Sequence, residues 1–330
     1  MINNTRPVAA ETRKRVLKVI EETGYKPNTA AKTLRSRKSN SIGVLVEDIM
    51  GFSSARIING ISEYIETTEY TLLLNDLRLL DTLFSKYDQE LYQKEKIDHV
   101  LNHMVHSAQV DAIIYVGMFD RDVSGMIPPV NLPVSIAYST SKEANRSFVT
   151  YDNEDIATEM MKYLLDAGHK NISIIAGPTS TPPVQLRLKG IKKALGEFNI
   201  NFDKINILIG DWGVESAYDI TKSLIDSKNP PTAILAMNDY MAIGAIDAIR
   251  DAGLNCPSDI SVTGFDNRTV SQTVHPKLTT AEIDLKSIGY KVAEITANQL
   301  KAPHHTQQRI VIPSELIIRN SVTKVCATRM

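Results

Sequence analysis

Two consecutive series of apolar strands, alternating with amphipathic helices, run through most of this chain. The strand-like segments lie at 41–48, 71–76, 111–117 and 133–139 in the first series and at 171–177, 206–211, 233–239 and 259–267 in the second. Strands that are apolar along their whole length, with helices between them, predict parallel sheets covered on both faces. Two such series therefore predict two doubly wound α/β lobes.

Polar pairs follow several of these strands. The pairs are Glu47 with Asp48, Asn75 with Asp76, Asn238 with Asp239 and Asp266 with Asn267. Ligands of open α/β sheets bind beyond the carboxyl ends of the strands, so the pairs are candidates for a binding site. Strand ends also meet solvent in any such fold, and one pair alone is weak support.

Composition excludes several classes of protein. No apolar run approaches the ~18–20 residues that a membrane-spanning helix requires. The first residues lack the basic-then-apolar pattern of a secretion signal. We therefore expect a cytoplasmic protein without a membrane segment. Cys256 and Cys326 are the only cysteines, and they predict neither a disulfide framework nor a metal cluster.

Charge is distributed unevenly along the chain. Residues 1–40 hold ten lysine or arginine residues and three glutamates, a net charge of +7, whereas the whole chain carries −1. The rest of the chain therefore carries −8. A basic segment on an acidic body is typical of binding to a phosphate backbone, because cations there release condensed counterions. A solvated charged terminus would explain the same pattern equally well.

A long connection at 77–108 ends in a predicted helix with Ile97, Leu101 and Met104 on one side. The residues His99, His103 and His106 share another stripe of this helix. Three imidazoles at this spacing could hold a metal, but no cysteine or well-placed carboxylate completes the set, and a solvated helix face is the simpler interpretation. The chain has no GxSxG, P-loop or HExxH motif. We therefore expect no enzyme activity, and we expect neither a cofactor nor a metal.

Several ordered segments resemble the LacI/GalR family of bacterial transcription regulators. They are INN, ETRKRVL, TGYKPNTAAKTLRS, SIGVLVEDI, YDN, AGHKNISIIAGP, LRLKG, PTAILAMNDYMAIGAIDAIRDAG, SVTGFDN and PKLTT. The resemblance implies a helix-turn-helix headpiece and a hinge helix, followed by a core like the type I periplasmic binding proteins. Residues 1–40 would form a partial headpiece with the hinge helix. Residues 41–167 and 283–310 would form the N-terminal lobe, and residues 168–282 and 311–330 the C-terminal lobe.

The resemblance places a headpiece helix at 11–23 and the hinge helix at 28–36. The implied DNA-binding residues are Asn28, Ala31, Lys32, Leu34 and Arg35. Leu34 corresponds to the leucine that is wedged into the minor groove, where an apolar side chain unstacks a base step and bends the duplex. The chain starts at what corresponds to the end of the recognition helix, which reads the major groove. We expect either a start assigned too late or a headless sensor, and the well-formed hinge pattern favours the former.

The resemblance also implies a set of effector-binding residues. They are Arg187, Trp212, Asn238 and Asp266, with Ser54 and Asp155 as weaker candidates. Arg187 corresponds to an arginine that clamps hydroxyls or a carboxylate, and Trp212 corresponds to an aromatic that stacks on the ligand ring. Ser53 and Ser54 replace aromatics common in the family, which predicts a more polar pocket floor. Without the resemblance, a surface arginine and a core indole would be the simpler interpretation.

These observations predict a ligand-responsive transcriptional regulator, a repressor, that binds operator DNA as a homodimer. A sugar or sugar-like effector would bind between the lobes and change the spacing of the hinge helices. The alternative is a headless sugar-binding sensor, or a transport-type binding protein that does not bind DNA. The basic segment and the absence of a signal sequence count against the transport protein.

Overall fold

A computed structural model describes residues 9–23, 39–79, 89–302 and 306–325. Helix α1 (Ala10–Thr23) comes first, and none of its residues is buried. The other described residues form two lobes, each around a six-stranded sheet. The predicted hinge helix and its residues Asn28, Ala31, Lys32, Leu34 and Arg35 lie outside the described residues.

The first sheet is parallel throughout. Its strands are β1 (Ser41–Val46), β2 (Thr71–Asp76), β3 (Ala112–Val116), β4 (Val134–Ala137), β5 (Ser147–Tyr151) and β11 (Arg309–Ile312). Their order is β11-β5-β4-β3-β1-β2. All of β3 and β4 is buried, as expected for apolar strands between two helical layers.

The second sheet repeats this arrangement. Its strands are β6 (Ile172–Ala176), β7 (Asn206–Ile209), β8 (Ala233–Ala236), β9 (Ser261–Phe265), β10 (Thr279–Glu282) and β12 (Glu315–Ile317). Their order is β12-β10-β9-β8-β6-β7, and only β12 among them runs antiparallel. The chain moves first to one side and then to the other of β1 and β6, which confirms the prediction of two doubly wound lobes.

Helices cover both sheets. They are α2 (Ser54–Ile65), α3 (Gln89–Asn102), α4 (Asn153–Asp166), α5 (Pro182–Glu197), α6 (Val214–Ile225), α7 (Asp239–Asp251), α8 (Thr269–Thr273) and α9 (Leu285–Lys301). A π-helical turn, His103–Ser107, follows α3, and a 3₁₀ turn spans Phe202–Lys204.

The chain crosses between the lobes earlier than the sequence predicted. Helix α4 packs on the second sheet, where Met160 and Leu164 share a core with Ile174. The first lobe therefore ends at Asp152, before α4, and not at residue 167. The apolar stripe of α4 would suit either sheet, so the sequence pattern could not decide between them. Strand β11 likewise stays in the first sheet as far as Ile312, beyond the predicted boundary at 310.

Aspartates cap the helices at two of the crossings. Asp152 accepts hydrogen bonds from the backbone N–H groups of Glu154 and Asp155, and it thereby caps α4. Asp284 accepts from the N–H of Ser287 and caps α9, which returns to the first lobe. These short polar side chains let the chain leave a strand and start a helix within one or two residues.

Glycines hold two helices of the first lobe in close contact. A Cβ atom on Gly60 of α2 would lie 2.0 Å from the carbonyl oxygen of Lys286, and one on Gly289 of α9 would lie 1.9 Å from that of Ile57. Only glycine permits this approach of one backbone to the other. The two helices therefore pack as one rigid unit.

The connection before β3 has the predicted helical second half. Ile97, Leu101 and Met104 are buried, whereas His99, His103 and His106 are exposed. Within the described residues, no group of three His, Cys, Asp or Glu side chains could hold a metal ion. None of the described helices is long and apolar enough to cross a membrane.

Candidate functional site

A cavity of about 440 Å³ lies between the lobes, at the carboxyl ends of the parallel strands. The first lobe lines it with Met50, Gly51, Phe52, Met118, Phe119, Tyr138 and Tyr151. The second lobe lines it with Pro183, Arg187, Trp212, Met237, Asn238, Tyr240, Asp266 and Arg268. The volume falls within the range of small-molecule sites, which is ~300–1,000 Å³. Four of the six predicted effector residues line this cavity: Arg187, Trp212, Asn238 and Asp266.

Arg187 is buried, with 3% of its surface exposed, and binds several protein groups. Its Nε atom donates to Oδ1 of Asn153 over 2.9 Å, and Nη1 donates to the carbonyl oxygen of Met237. Its Nη2 atom lies 3.3 Å from the hydroxyl of Tyr151 in the first lobe and 3.8 Å from Oδ1 of Asp266. This guanidinium therefore connects both lobes at the cavity wall, and it is not the surface arginine of the simpler interpretation.

Asp266 supplies the carboxylate of the cavity wall. Burial raises its pKa above the usual value, and the neighbouring cations Arg187 and Arg268 oppose this rise. Its backbone has φ 97°, in a region that residues other than glycine rarely adopt. Two other lining residues, Trp212 with φ 72° and Tyr138 with φ 63°, share this region. Such backbone conformations are concentrated at binding sites, where the surrounding structure holds them in place.

Arg268 is a lining residue that the sequence analysis missed. Its Nε atom donates to Oδ2 of Asp266 over 3.2 Å. The guanidinium carbon lies 4.1 Å from the ring centre of Phe52 in the first lobe and 4.3 Å from that of Tyr240 in the second. The position two residues after Asp266, beyond the end of β9, was the available signal for it.

Trp212 lies against the backbone of Gly177. A Cβ atom at position 177 would lie 2.2 Å from the indole ring, so only glycine leaves room for the ring in this place. The indole Nε1 atom is buried and has no hydrogen-bond partner among the described residues. A buried donor without a partner costs free energy. The residue as a whole nevertheless lines the cavity.

Asn238 and Asp239 hold the start of α7 at the cavity. Asn238 accepts from the N–H of Met241 over 2.8 Å, and its Nδ2 atom donates to the carbonyl oxygen of Trp212 over 3.0 Å. Asp239 accepts from the backbone N–H of Arg268 over 2.6 Å. Burial, followed by the nearby charge of Asp266, raises the pKa of Asp239 from 3.8 to about 7. Asn238 therefore lines the cavity and also fixes the loop that carries the indole.

The first lobe presents stacked aromatic rings to the cavity. The rings of Tyr138 and Tyr151 stack with centres 5.3 Å apart, and Phe52 meets Tyr138 edge-on at 6.4 Å. Ser53 and Ser54, the predicted polar floor, are fully buried behind this wall and are not among its lining residues. The prediction of a more polar floor was therefore wrong, because Phe52 occupies the wall instead.

A buried charged pair supports the first-lobe wall from behind. Glu47 accepts hydrogen bonds from Arg121 over 2.7 Å, from the hydroxyl of Tyr115 and from the N–H of Met118 over 2.8 Å. The same turn carries Asp120, which accepts from Asn153 over 2.9 Å. These bonds fix the turn that brings Met118 and Phe119 to the cavity.

Two predicted effector residues lie away from the cavity. The hydroxyl of Ser54 donates to the carbonyl oxygen of Asp48 over 2.6 Å, so it stabilises the turn before α2. Asp155 lies on the outer face of α4, where 70% of its side chain is exposed and it pairs with Lys193 over 3.4 Å. The helix begins at Asn153, and this start directs Asn153, instead of Asp155, towards Arg187.

The fold and the cavity define a two-lobed ligand-binding protein. Residues 161–322 match the periplasmic binding protein-like domain family. The chain is 30% identical to Catabolite control protein A of Priestia megaterium, over 97% of this chain and 93% of that protein. It belongs to the LacI family of transcriptional regulators.

Solved structures share the fold. The lac repressor dimer bound to operator and the anti-inducer ONPF has a TM-score of 0.79 and 24% identity, over 98% of this chain and 93% of that chain. A LacI family regulator from Enterococcus faecium with bound ribose has a TM-score of 0.68 and 23% identity, over 87% of this chain and all of that one. As a member of the LacI family, the protein is a ligand-responsive transcription regulator and not an enzyme.

Proposed function

We propose that the protein binds operator DNA as a homodimer, and that a carbohydrate effector bound between the lobes controls its affinity for that DNA. The hinge segment expected from the sequence at 28–36, with Leu34 in the minor groove, would hold the operator. The observation that carries this proposal is the cavity itself, since both lobes line it. A ligand that contacts both lobes favours one arrangement of them over another, and it can shift an equilibrium by its differential affinity for the two.

The chemistry of the cavity suits a carbohydrate. Trp212 and Tyr240 offer flat apolar surfaces for the face of a sugar ring. Asp266 offers an acceptor for hydroxyl groups, and Arg268 offers donors. The related Enterococcus faecium regulator was solved with ribose.

Three observations support the DNA and dimer parts of the proposal. The first 40 residues carry a charge of +7, and the lac repressor, which shares the fold, was solved as a dimer on its operator. Leu73 and Leu74 of the edge strand β2 are also partly exposed, at 38% and 42%. Apolar side chains on an exposed edge are typical of a surface that pairs with another chain.

The test is selection of DNA sequences from a random duplex library by the purified full chain, with and without a panel of carbohydrates. We expect enrichment of an inverted repeat, because a two-fold dimer reads two half-sites. The variant Leu34→Ala should bind the selected duplex roughly tenfold more weakly, as expected for loss of an intercalating wedge. The matched control is Leu91→Ala, on the exposed face of α3.

The outcomes separate the two candidate functions. A chain that binds a carbohydrate in calorimetry but enriches no DNA sequence would support the headless sensor and refute the regulator in this form. Equal binding of the selected duplex by wild type and Leu34→Ala would refute the proposed role of Leu34 as a wedge in the minor groove. Failure of every carbohydrate to change DNA affinity would refute carbohydrate control.

A further inference from the structure

We propose that the effector is anionic and that Arg268 forms the subsite for its carboxylate or phosphate group. This inference rests on the proposed function, since it takes the cavity to be the effector site. It adds a ligand class and a specificity-determining residue to that function.

The two arginines of the cavity differ in how many donors they have to spare. The Nε, Nη1 and Nη2 atoms of Arg187 all donate to protein groups, namely Asn153, Met237 and Tyr151. The Nε atom of Arg268 donates to Asp266, whereas its Nη1 and Nη2 atoms donate to none of the described residues. Arg268, more than Arg187, therefore has N–H groups available for a ligand at the cavity wall.

Aromatic rings position the Nη1 and Nη2 groups of Arg268, the free edge of its guanidinium, and reduce their contact with water. The ring centres of Phe52 and Tyr240 lie 4.1 and 4.3 Å from the guanidinium carbon, and only 20% of the side chain is exposed. The backbone N–H of Arg268 is held by Asp239 over 2.6 Å. Because rings, carboxylate and backbone bond fix the side chain together, it loses little additional conformational freedom when an anion binds.

The charges of the cavity favour an anion. Among the described lining residues, Arg187 and Arg268 carry positive charge and Asp266 alone carries negative charge. A neutral ligand would leave this excess cation in a partly dry cavity. Two parallel N–H groups match two oxygens of a carboxylate or phosphate, and such charge-assisted pairs are roughly twice as strong as neutral hydrogen bonds.

The ring partners also determine where the anion binds. Phe52 belongs to the first lobe, whereas Arg268 and Tyr240 belong to the second. An anion on the free edge therefore binds at the seam between the lobes, next to the contact that joins them. A neutral sugar on Trp212 would lack this second anchor.

The experiment compares matched probes on the full chain at constant ionic strength. The probes are ribose with ribose 5-phosphate, glucose with glucose 6-phosphate and glucuronate, and inorganic phosphate at up to ~10 mM, a concentration that detects millimolar affinity. Binding is measured by calorimetry and by the fluorescence of Trp212, the only tryptophan. The variants are Arg268→Met, which keeps the apolar stem, and Arg268→Lys, which keeps the charge. Arg250→Met removes an exposed cation of α7 and is the control.

We expect at least one charged sugar to bind wild type about tenfold or more tightly than its neutral partner. Arg268→Met should lower the affinity for the charged sugar about tenfold more than the affinity for its neutral partner, Arg268→Lys should retain part of the charge preference, and Arg250→Met should retain all of it. A phosphate preference over glucuronate would identify the phosphate ester as the source, and the reverse would identify a sugar acid.

Three results would overturn the inference. The first is equal affinity for charged and neutral partners in wild type. The second is an undiminished charge preference in Arg268→Met, and the third is no response to any anion, including inorganic phosphate. Neutral sugars that bind with no role for Arg268 would leave the proposed function standing alone. Conversely, phosphate binding that depends on Arg268, without binding of any sugar, would support the anion subsite and refute the proposal that the effector is a carbohydrate.

Discussion

The two walls of the cavity are built from different chemistry. Among the described lining residues of the first lobe, from Met50 to Tyr151, none is charged, and four of the seven are aromatic. The second lobe contributes Arg187, Asp266 and Arg268 as well as the indole of Trp212. In the proposed effector site, the second lobe would therefore select and orient the ligand, whereas the first lobe would cover it and exclude water.

The first lobe does contain buried charge, but one layer further back. Glu47 and Arg121 pair behind the wall, and Asp120 bonds to Thr150 and Asn153. These groups hold the turn that carries Met118 and Phe119, so their effect on a ligand is indirect. Charge lines the cavity in the second lobe, whereas it stabilises the turn behind the wall in the first.

The largest expected effect is that of Arg187→Ala in the second lobe. Removal of this guanidinium leaves the buried Asp266 with one cation fewer, and it removes three hydrogen bonds to protein groups. Breaking such a buried pair costs about 3–5 kcal/mol of stability. Because the cavity wall loses the group that joins both lobes, effector binding measured by calorimetry should fall below detection. Lys193→Ala, on the exposed face of the same helix, is the control. Unchanged affinity in Arg187→Ala would show that the second lobe does not orient the ligand.

An intermediate effect is expected for Glu47→Gln in the first lobe. A glutamine cannot accept from all three donors, and Arg121 loses its counter-charge, so the free energy of unfolding should fall by about 2–3 kcal/mol. The ligand affinity should fall less, because the wall moves while the charged groups opposite it stay. Urea denaturation and calorimetry measure the two quantities. Glu63→Gln, from an exposed pair with Lys286, should change neither. A larger loss in affinity than in stability would reverse the assignment of roles.

The smallest expected effect is that of Gly177→Ala, which tests the indole alone. The added methyl group displaces Trp212 from the backbone on which it lies, and affinity should fall by about tenfold, or ~1.4 kcal/mol. The emission of Trp212 should shift as its environment changes. Gly196→Ala, at a position with open space, should leave both unchanged. An unaltered emission spectrum in Gly177→Ala would show that the indole does not depend on this contact.

Much of the fold could be predicted from the sequence, because buried parallel strands are apolar along their whole length. The segments at 41–48 and 171–177 contain β1 and β6 for this reason. Strand β11 has exposed and partly buried residues in alternation and lies at a sheet edge, so no apolar run marked it. The sheet on which α4 packs depends on tertiary contacts that periodicity does not encode.

The candidate site was predictable in part. Arg187, Trp212, Asn238 and Asp266 were placed by their positions in recognised motifs, and all four line the cavity. Asp155 was misplaced because a shift of two residues along α4 changes the face on which a side chain lies. Arg268 and Phe52 were missed because their contact joins loops from different lobes, and sequence spacing carries no information on such a pair.

One amide side chain sits where the lobes join. Asn153 is the first residue of α4, just after the chain leaves the first sheet. Its Nδ2 atom donates to Asp120 of the first lobe, and its Oδ1 atom accepts from Arg187 of the second. Rotation of one lobe against the other must lengthen one of these two bonds before it alters anything distant. The nitrogen-15 chemical shift of this single carboxamide would therefore report how far the two lobes have opened.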